Sequence, residues 1–374
     1  MPIEDHLLEP IEKSIREKFL PALTSQAPCN DQVRNLLSLP PRHGGLGISK
    51  PRTTQHSASV TICKPLVDAI LNQEGKALEI RAQQRQLKNE QRKKQRIADK
   101  DAATELTGVL QPRLQRSILA ASEKGASAWL TTMPIERHGF ALHKGAFRDA
   151  IALRYGWSLE FCPSSCACGA QFDTEHLLTC SQGGYISLRH NELRDLTADL
   201  MKDVCSDVIT EPQLQPVTDE HLPPSTNKDC EARLDVRARG FWNGSNEAFF
   251  DVRVFHPFAS SYRNSSLAAI YRQHEKKKKR EYSHRVREIE KGSFTPLVFS
   301  TTGGMGREAT VVFQRLASLI SDKTGDSYSV VLGWMRSRVS FSLLRSALLC
   351  LRGSHTKRHR SDTNIALASV EGRI

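Results

Sequence analysis

The chain has 374 residues, with 53 Lys and Arg against 41 Asp and Glu, a formal net charge of +12. That length accommodates two or three domains with real cores, and no apolar run reaches the roughly 18 residues of a bilayer-spanning helix. The excess of cations favours a polyanionic partner, because every Lys or Arg that neutralises a phosphate releases counterions.

The opening segment MPIEDHLLEPIEKSI has no basic leader and no apolar stretch, so no secretory signal is expected and the chain is read as intracellular. Residues 1–25 show helical spacing, with Leu7, Leu8, Ile11, Ile15, Phe19 and Leu20 on one side. Pro40, Pro41, Gly44 and Gly45 then break the helix. Apolar helical spacing returns over 58–75. Residues 81–100 hold eight Lys or Arg against two acids and read as a solvated helix or linker, with a nucleic-acid surface as the alternative. A helical block follows at 105–155, with Trp129 and Leu130 as core and Phe147, Ile151 and Tyr155 at i, i+4, i+8.

After the cysteine-rich stretch at 162–180, RHNELRDLTADLMKDV predicts a helix with Leu193, Leu196 and Leu200 on one face. VITEPQLQPV predicts a short strand, and TDEHLPPSTNKD a loop. Residues 232–255 read as a β-hairpin: two alternating strands flank Asn243-Gly244, a strong turn signal. On the second strand Phe249, Asp251, Arg253 and Phe255 share one face, with Phe250, Val252 and Val254 on the other. A basic helix over 265–290, a buried strand ending in TTGGMG, and amphipathic helices near 307–323 and 329–352 complete the pattern. TTGGMG lacks the Gly-Lys-Ser/Thr ending of a phosphate loop. The last twenty residues read as a disordered basic tail.

Two groups of residues carry chemistry. Cys166, Cys168, His176 and Cys180 are the thiolate and imidazole set of a four-coordinate structural zinc, with Gly169 suited to the tight turn of a knuckle. Cys162 offers an alternative first ligand, and buried thiols beside a satisfied histidine are the plain alternative to a metal. With four protein ligands the ion has no open position, so it would be structural.

Asp235 in ARLDV and Asp251 in FFDVRV sit on adjacent predicted strands among apolar residues. A carboxylate there is costly to bury unless paired or bound to metal. Two such carboxylates can hold Mg²⁺, which activates water and polarises a phosphodiester, and a lysine nearby steadies the developing charge. Arg253 stands two after Asp251, where it cannot readily act as a base. The lysine is therefore expected on the next helix, at Lys277, with Lys276 and Lys279 as rivals. The competing reading pairs Asp235 with Arg233 or Arg237, and Asp251 with Arg253, as surface ion pairs. Glu192, on the helix after the knuckle, is either a further metal oxygen or a glutamate favoured by the helix dipole. His256 reads as a loop residue.

The order C-x-C-x7-H-x3-C, RHNELRDL, LDVR, FFDVRV and YRQHEKKKKREY resembles the C-terminal region of non-LTR retrotransposon proteins with a restriction-like endonuclease. The resemblance implies an α+β chain whose nuclease domain is similar to the PD-(D/E)xK fold, a mixed sheet flanked by helices. Asp235 would stand at the PD aspartate, with Leu234 in place of the proline, and Asp251 at the second acid. Lys277 would be the helix-borne lysine, Tyr282 a tyrosine often found downstream, and Arg189-His190 the basic-His pair after the knuckle. LLSLPPRHGGLGISKP resembles the start of a reverse-transcriptase thumb, but the aromatic-x-Asp-Asp turn that holds polymerase metals is missing.

The implied organisation is a thumb-like remnant at 1–75, a basic helix or linker at 76–104, a helical linker domain at 105–160, a knuckle at 161–185, the endonuclease at 186–353 and the tail. The implied activity is Mg²⁺-dependent nicking of DNA in the nucleus, without polymerisation, with Zn²⁺ as structural cofactor. DNA would be the partner, with element RNA as a further one, and no membrane. Arg189, His190, Arg253, Arg272, Lys278 and Arg280 would contact nucleic acid. The alternative is a binding remnant with a dead active site.

Overall fold

The computed structural model describes residues 8–51, 63–64, 67–68, 77–159, 162–215 and 233–353. Most of the 58–75 helix, the loop TDEHLPPSTNKD and the 354–374 tail expected from the sequence lie outside the described residues. The chain separates into two compact units: Met1–Ser122 with Tyr155–Glu160, and Glu123–Arg154 with Phe161–Ile374. The 105–160 block, expected as one helical linker domain, is thus divided between them.

The first unit is helical. Helix α1 (Glu9–Ser14) runs through a π turn at Ile15–Phe19 into α2 (Leu20–Thr24), and α3 (Asp31–Ser38) follows with Asn30 capping it. Arg34 is wholly buried and forks onto Glu12 at 2.7 and 2.8 Å, which offsets the cost of burying its charge. The Pro-Gly segment is close-packed: a Cβ at Gly45 would lie 1.9 Å from the Leu39 carbonyl, so only glycine fits. The basic stretch belongs to one helix, α4 (Ala77–Val109), whose 33 residues extend about 50 Å. Helix α5 (Pro112–Ala121) closes the unit.

In the second unit the short helix α6 (Ala128–Thr131) and α7 (Lys144–Tyr155, to Arg154) precede the knuckle with its helical turn α8 (Thr174–Leu177). Then come α9 (Tyr185–Lys202), the strands β1 (Asp207–Thr210), β2 (Val236–Arg239) and β3 (Glu247–Phe255), helix α10 (Leu267–Glu288), β4 (Ser293–Ser300), and helices α11 (Arg307–Thr324) and α12 (Tyr328–Arg352). The sheet runs β1-β2-β3-β4; the first three strands form an antiparallel meander, and β4 lies parallel to β3. A parallel neighbour needs a crossover, and α10 supplies it. The fold is therefore α+β, with one four-stranded mixed sheet.

Alternation on β3 sets the layers. Phe250 and Val252 face a core built with Leu193, Leu196 and Leu200 of α9, Phe313 and Leu316 of α11, and Met335 and Val339 of α12. On the opposite face, Phe249 packs with Tyr282 and Val286 of α10, and Phe255 with Ile270 and Tyr271. Between these two apolar contacts, on the same face, lie Asp251 and Arg253.

Candidate metal centre and carboxylate site

Within the knuckle a short hairpin-like turn brings the ligands together. Cys166 N donates to Ala170 O and Gly169 N to Cys166 O, both at 2.8 Å, and Gly169 adopts φ +87°. Asp173 caps α8 by accepting from His176 N at 2.7 Å, which orients the imidazole back to the turn. The four ligand atoms of Cys166, Cys168, His176 and Cys180 lie within 4.8 Å of one another. Cys166 and Cys180 sulfurs are 3.9 Å apart, and tetrahedral zinc with bonds of about 2.3 Å would set two sulfurs about 3.8 Å apart. Cys168 Sγ is 3.1 Å from His176 Nε2. The donor set and its spacing fit zinc. Cys162, left open by the sequence as a first ligand, instead has its sulfur 3.9 Å from Arg352 Nη1 and stands outside the set. Burial pushes the Cys180 thiol up to about 11, whereas a hydrogen bond from the Ala170 backbone lowers Cys168. A divalent ion among them converts such thiols to thiolates.

The carboxylate site lies on the α10 face of the sheet. Val236 pairs with Phe250, so extending the register one residue sets Asp235 opposite Asp251. Asp235 N donates to Phe250 O at 3.1 Å, which holds that register. Just ahead of β2, Asp235 Oδ2 accepts from the amide of Val252 at 2.5 Å, while Oδ1 meets His190 Nε2 of α9 at 2.9 Å. Burial alone would lower the His190 pKa, but the hydrogen bond and charge of Asp235, with the charge of Asp251, raise it overall.

Asp251 is 6 % exposed. Lys278 Nζ donates to its Oδ1 at 3.1 Å and lies 3.0 Å from Oδ2, without hydrogen-bond geometry there. Oδ2 therefore accepts no hydrogen bond although it is buried. Burial first, and then the charge of Asp235, push the Asp251 carboxyl up to about 6; Lys278 and His190 oppose the rise. Behind it His274 stacks on Phe255 and meets Tyr262 OH at 2.9 Å. Burial, then Arg253, Lys277 and Lys278, push His274 down to about 4, so its ring is neutral at pH 7.

Several expected site residues stand elsewhere. Lys277 points to solvent and its nearest acid is Glu281, 3.9 Å away along the helix. Lys279 pairs with Glu308 at 2.7 Å, and Lys276 is exposed. The lysine at Asp251 is Lys278, expected only as a nucleic-acid contact, and the reason is helical phase. His274, Lys278 and Tyr282 recur every four residues, and the two flanking members are buried against the sheet. That i, i+4, i+8 row was visible in the sequence.

Arg189, expected to touch nucleic acid, is buried at 2 % exposure and donates to Leu178 O. His190, expected in the same role, bonds Asp235 instead. Glu192 is half-buried on α9, about 200° around the helix from His190 and so away from the Asp235 side. The pairing of Asp235 with Arg237 does not form; Arg237 instead bonds Asp207 on β1 at 2.7 Å. Arg253 is exposed beside Asp251 without pairing to it, and Arg272 and Arg280 are exposed on α10. His256 follows β3 outside any strand or helix, the loop position expected of it, and is buried there with its Nδ1 2.8 Å from Thr301 Oγ1.

No family model and no curated protein matches the chain. Among the described residues no helix is long and apolar enough to cross a membrane.

Proposed function

We propose that the second unit is a Mg²⁺-dependent DNA endonuclease of the PD-(D/E)xK type, in a protein related to non-LTR retrotransposons and acting in the nucleus. One observation carries the reading: Asp251 is buried with an oxygen that accepts no hydrogen bond, opposite Asp235 and 3.0 Å from Lys278. Neither a surface ion pair nor a packed core residue accounts for that arrangement. An unsatisfied carboxylate oxygen beside a second carboxylate is the donor chemistry a hard divalent cation takes.

Asp235 and Asp251 would hold Mg²⁺, which when bound supplies a polarised phosphodiester and an activated water. His190 orients Asp235 by its hydrogen bond, so that Oδ2 stays on the Val252 amide. Lys278 keeps Asp251 ionised near neutral pH and presents positive charge where the phosphorane develops its negative charge. The exposed Arg272, Lys276, Arg280 and His284 recur every four residues along α10, about 6 Å apart. This row gives a nucleic-acid backbone a cationic track along the solvent side of α10, about 200° around the helix from the face that carries Lys278. Such contacts bind phosphate and carry no sequence preference of their own. The zinc knuckle is structural.

Supercoiled-plasmid nicking in Mg²⁺, comparing the wild type with Asp251→Asn, tests the reading. Wild-type nicking that the substitution removes supports it. Equal cleavage by both sinks it, and tight DNA binding with no cleavage by either moves the protein to a non-catalytic nucleic-acid-binding role.

A further inference from the structure

Among the described residues Arg189 is a buried cation lacking an anion. Both of its terminal nitrogens donate to one neutral acceptor, the Leu178 carbonyl, at 3.2 and 3.3 Å, and its Nε has no acceptor. Among the described residues no carboxylate pairs with it. A guanidinium stays charged at any ordinary pH, so a buried one needs compensation. Leu178 sits two residues from His176 and two from Cys180. It packs in one apolar cluster with Tyr185, Leu188 and Cys350, which joins the knuckle to α9 and α12. Three thiolates and a neutral imidazole around a divalent ion sum to −3 + 2 = −1. The filled knuckle is thus an anion built around the segment that Arg189 grips. The next residue of α9, His190, holds Asp235 at 2.9 Å.

We infer that Arg189 is the counter-ion of the metal-filled knuckle and a positioning residue for the carboxylate site. Metal occupancy fixes the first turns of α9 and, through them, the His190–Asp235 contact. The functional meaning rests on the proposed nuclease, but the coupling itself is read without cleavage.

Hydrogen–deuterium exchange on the full chain tests it, comparing zinc-loaded wild type, wild type stripped by a zinc-selective chelator with Mg²⁺ present, and zinc-loaded Arg189→Met and Arg189→Lys. Stripping is expected to speed exchange over 186–192 on the order of ten-fold while 196–202, at the other end of the same helix, holds its rate. Arg189→Met reproduces this with zinc still bound, and Arg189→Lys, which keeps the charge, recovers most of the protection. A packing role alone predicts that the similarly sized Met is tolerated, and that result overturns the inference. So does unchanged exchange over 186–192 in the stripped wild type, which decides the matter should Arg189→Met fail to fold. A wild type that never nicks DNA removes the endonuclease reading and leaves this outcome standing.

Discussion

Asp251→Asn should make the zinc-loaded, magnesium-free protein more stable at neutral pH while removing the proposed nicking activity. Asp251 titrates at about 6 in the folded protein, against 3.8 for an unperturbed aspartate. The native state therefore holds this proton more tightly than the unfolded chain does. Stability from this group is fully present below about pH 4, falls as pH rises toward 6, and stays at its lower level above that. The shift is 6 − 3.8 = 2.2, which at 1.36 kcal/mol per unit is about 3 kcal/mol. Asparagine cannot ionise and escapes this cost, but Lys278 loses its counter-charge. The ammonium is 17 % exposed and can swing toward water, so the net gain is about 1–3 kcal/mol. For a unit of this size that is about 2–12 °C in Tm. The assay is thermal unfolding in zinc-containing, magnesium-free buffer from pH 4 to 8. The two curves should converge at pH 4 and separate above pH 6, with Mg²⁺ raising the wild type alone. A variant no more stable than wild type at pH 8 would refute the reasoning.

Other outcomes follow from the same geometry. Lys278→Ala should lower the nicking rate by about 10²–10³, the scale of a lost charge-stabilising contact, whereas Lys277→Ala changes it less than about three-fold. Single-turnover nicking separates them, and equal losses would show that phase on α10 was misjudged. Cys180→Ser should lose the single zinc and the protection of the knuckle, while Cys162→Ser keeps about one zinc per chain by elemental analysis. Replacing Arg272 and Arg280 with Ala should reduce the salt slope of DNA binding by about two phosphate contacts. An unchanged slope of log affinity against log salt would move the track off this face of α10.

Local pattern was legible in the sequence. Asn243-Gly244 and the alternation of FFDVRV gave the hairpin and its two faces; Cys166, Cys168, His176 and Cys180 lie close enough in sequence for spacing alone to suggest a metal. Helices α9 to α12 follow from their own periodicities. What escaped was contact between distant residues. His190 and Asp235 are 45 positions apart, and nothing in RHNELRDL says that its histidine, rather than its arginine, reaches a strand. Arg189 looked like a surface cation because arginine usually is one. Its burial comes from the packing of the knuckle on α9 and α12, which no single segment encodes. Lys278 was a smaller miss: four consecutive lysines conceal their phase until the buried His274 and Tyr282 on either side are counted.

The parallel pairing of β3 with β4 also bears on when activity can arise. Ala248 on β3 registers with Ser293 on β4, 45 positions further along the chain, and the whole of α10 lies between them. Helix α10 is held to the sheet as the link between these strands, so Lys278 reaches Asp251 only once β4 has docked. Contacts of such sequence separation form late, since loop closure must come before they contribute. A chain still being synthesised, or cut before residue 293, would carry both aspartates and every exposed cation of the track. It would bind nucleic acid without the assembled site. The proposed cleavage would thereby be reserved for the finished fold.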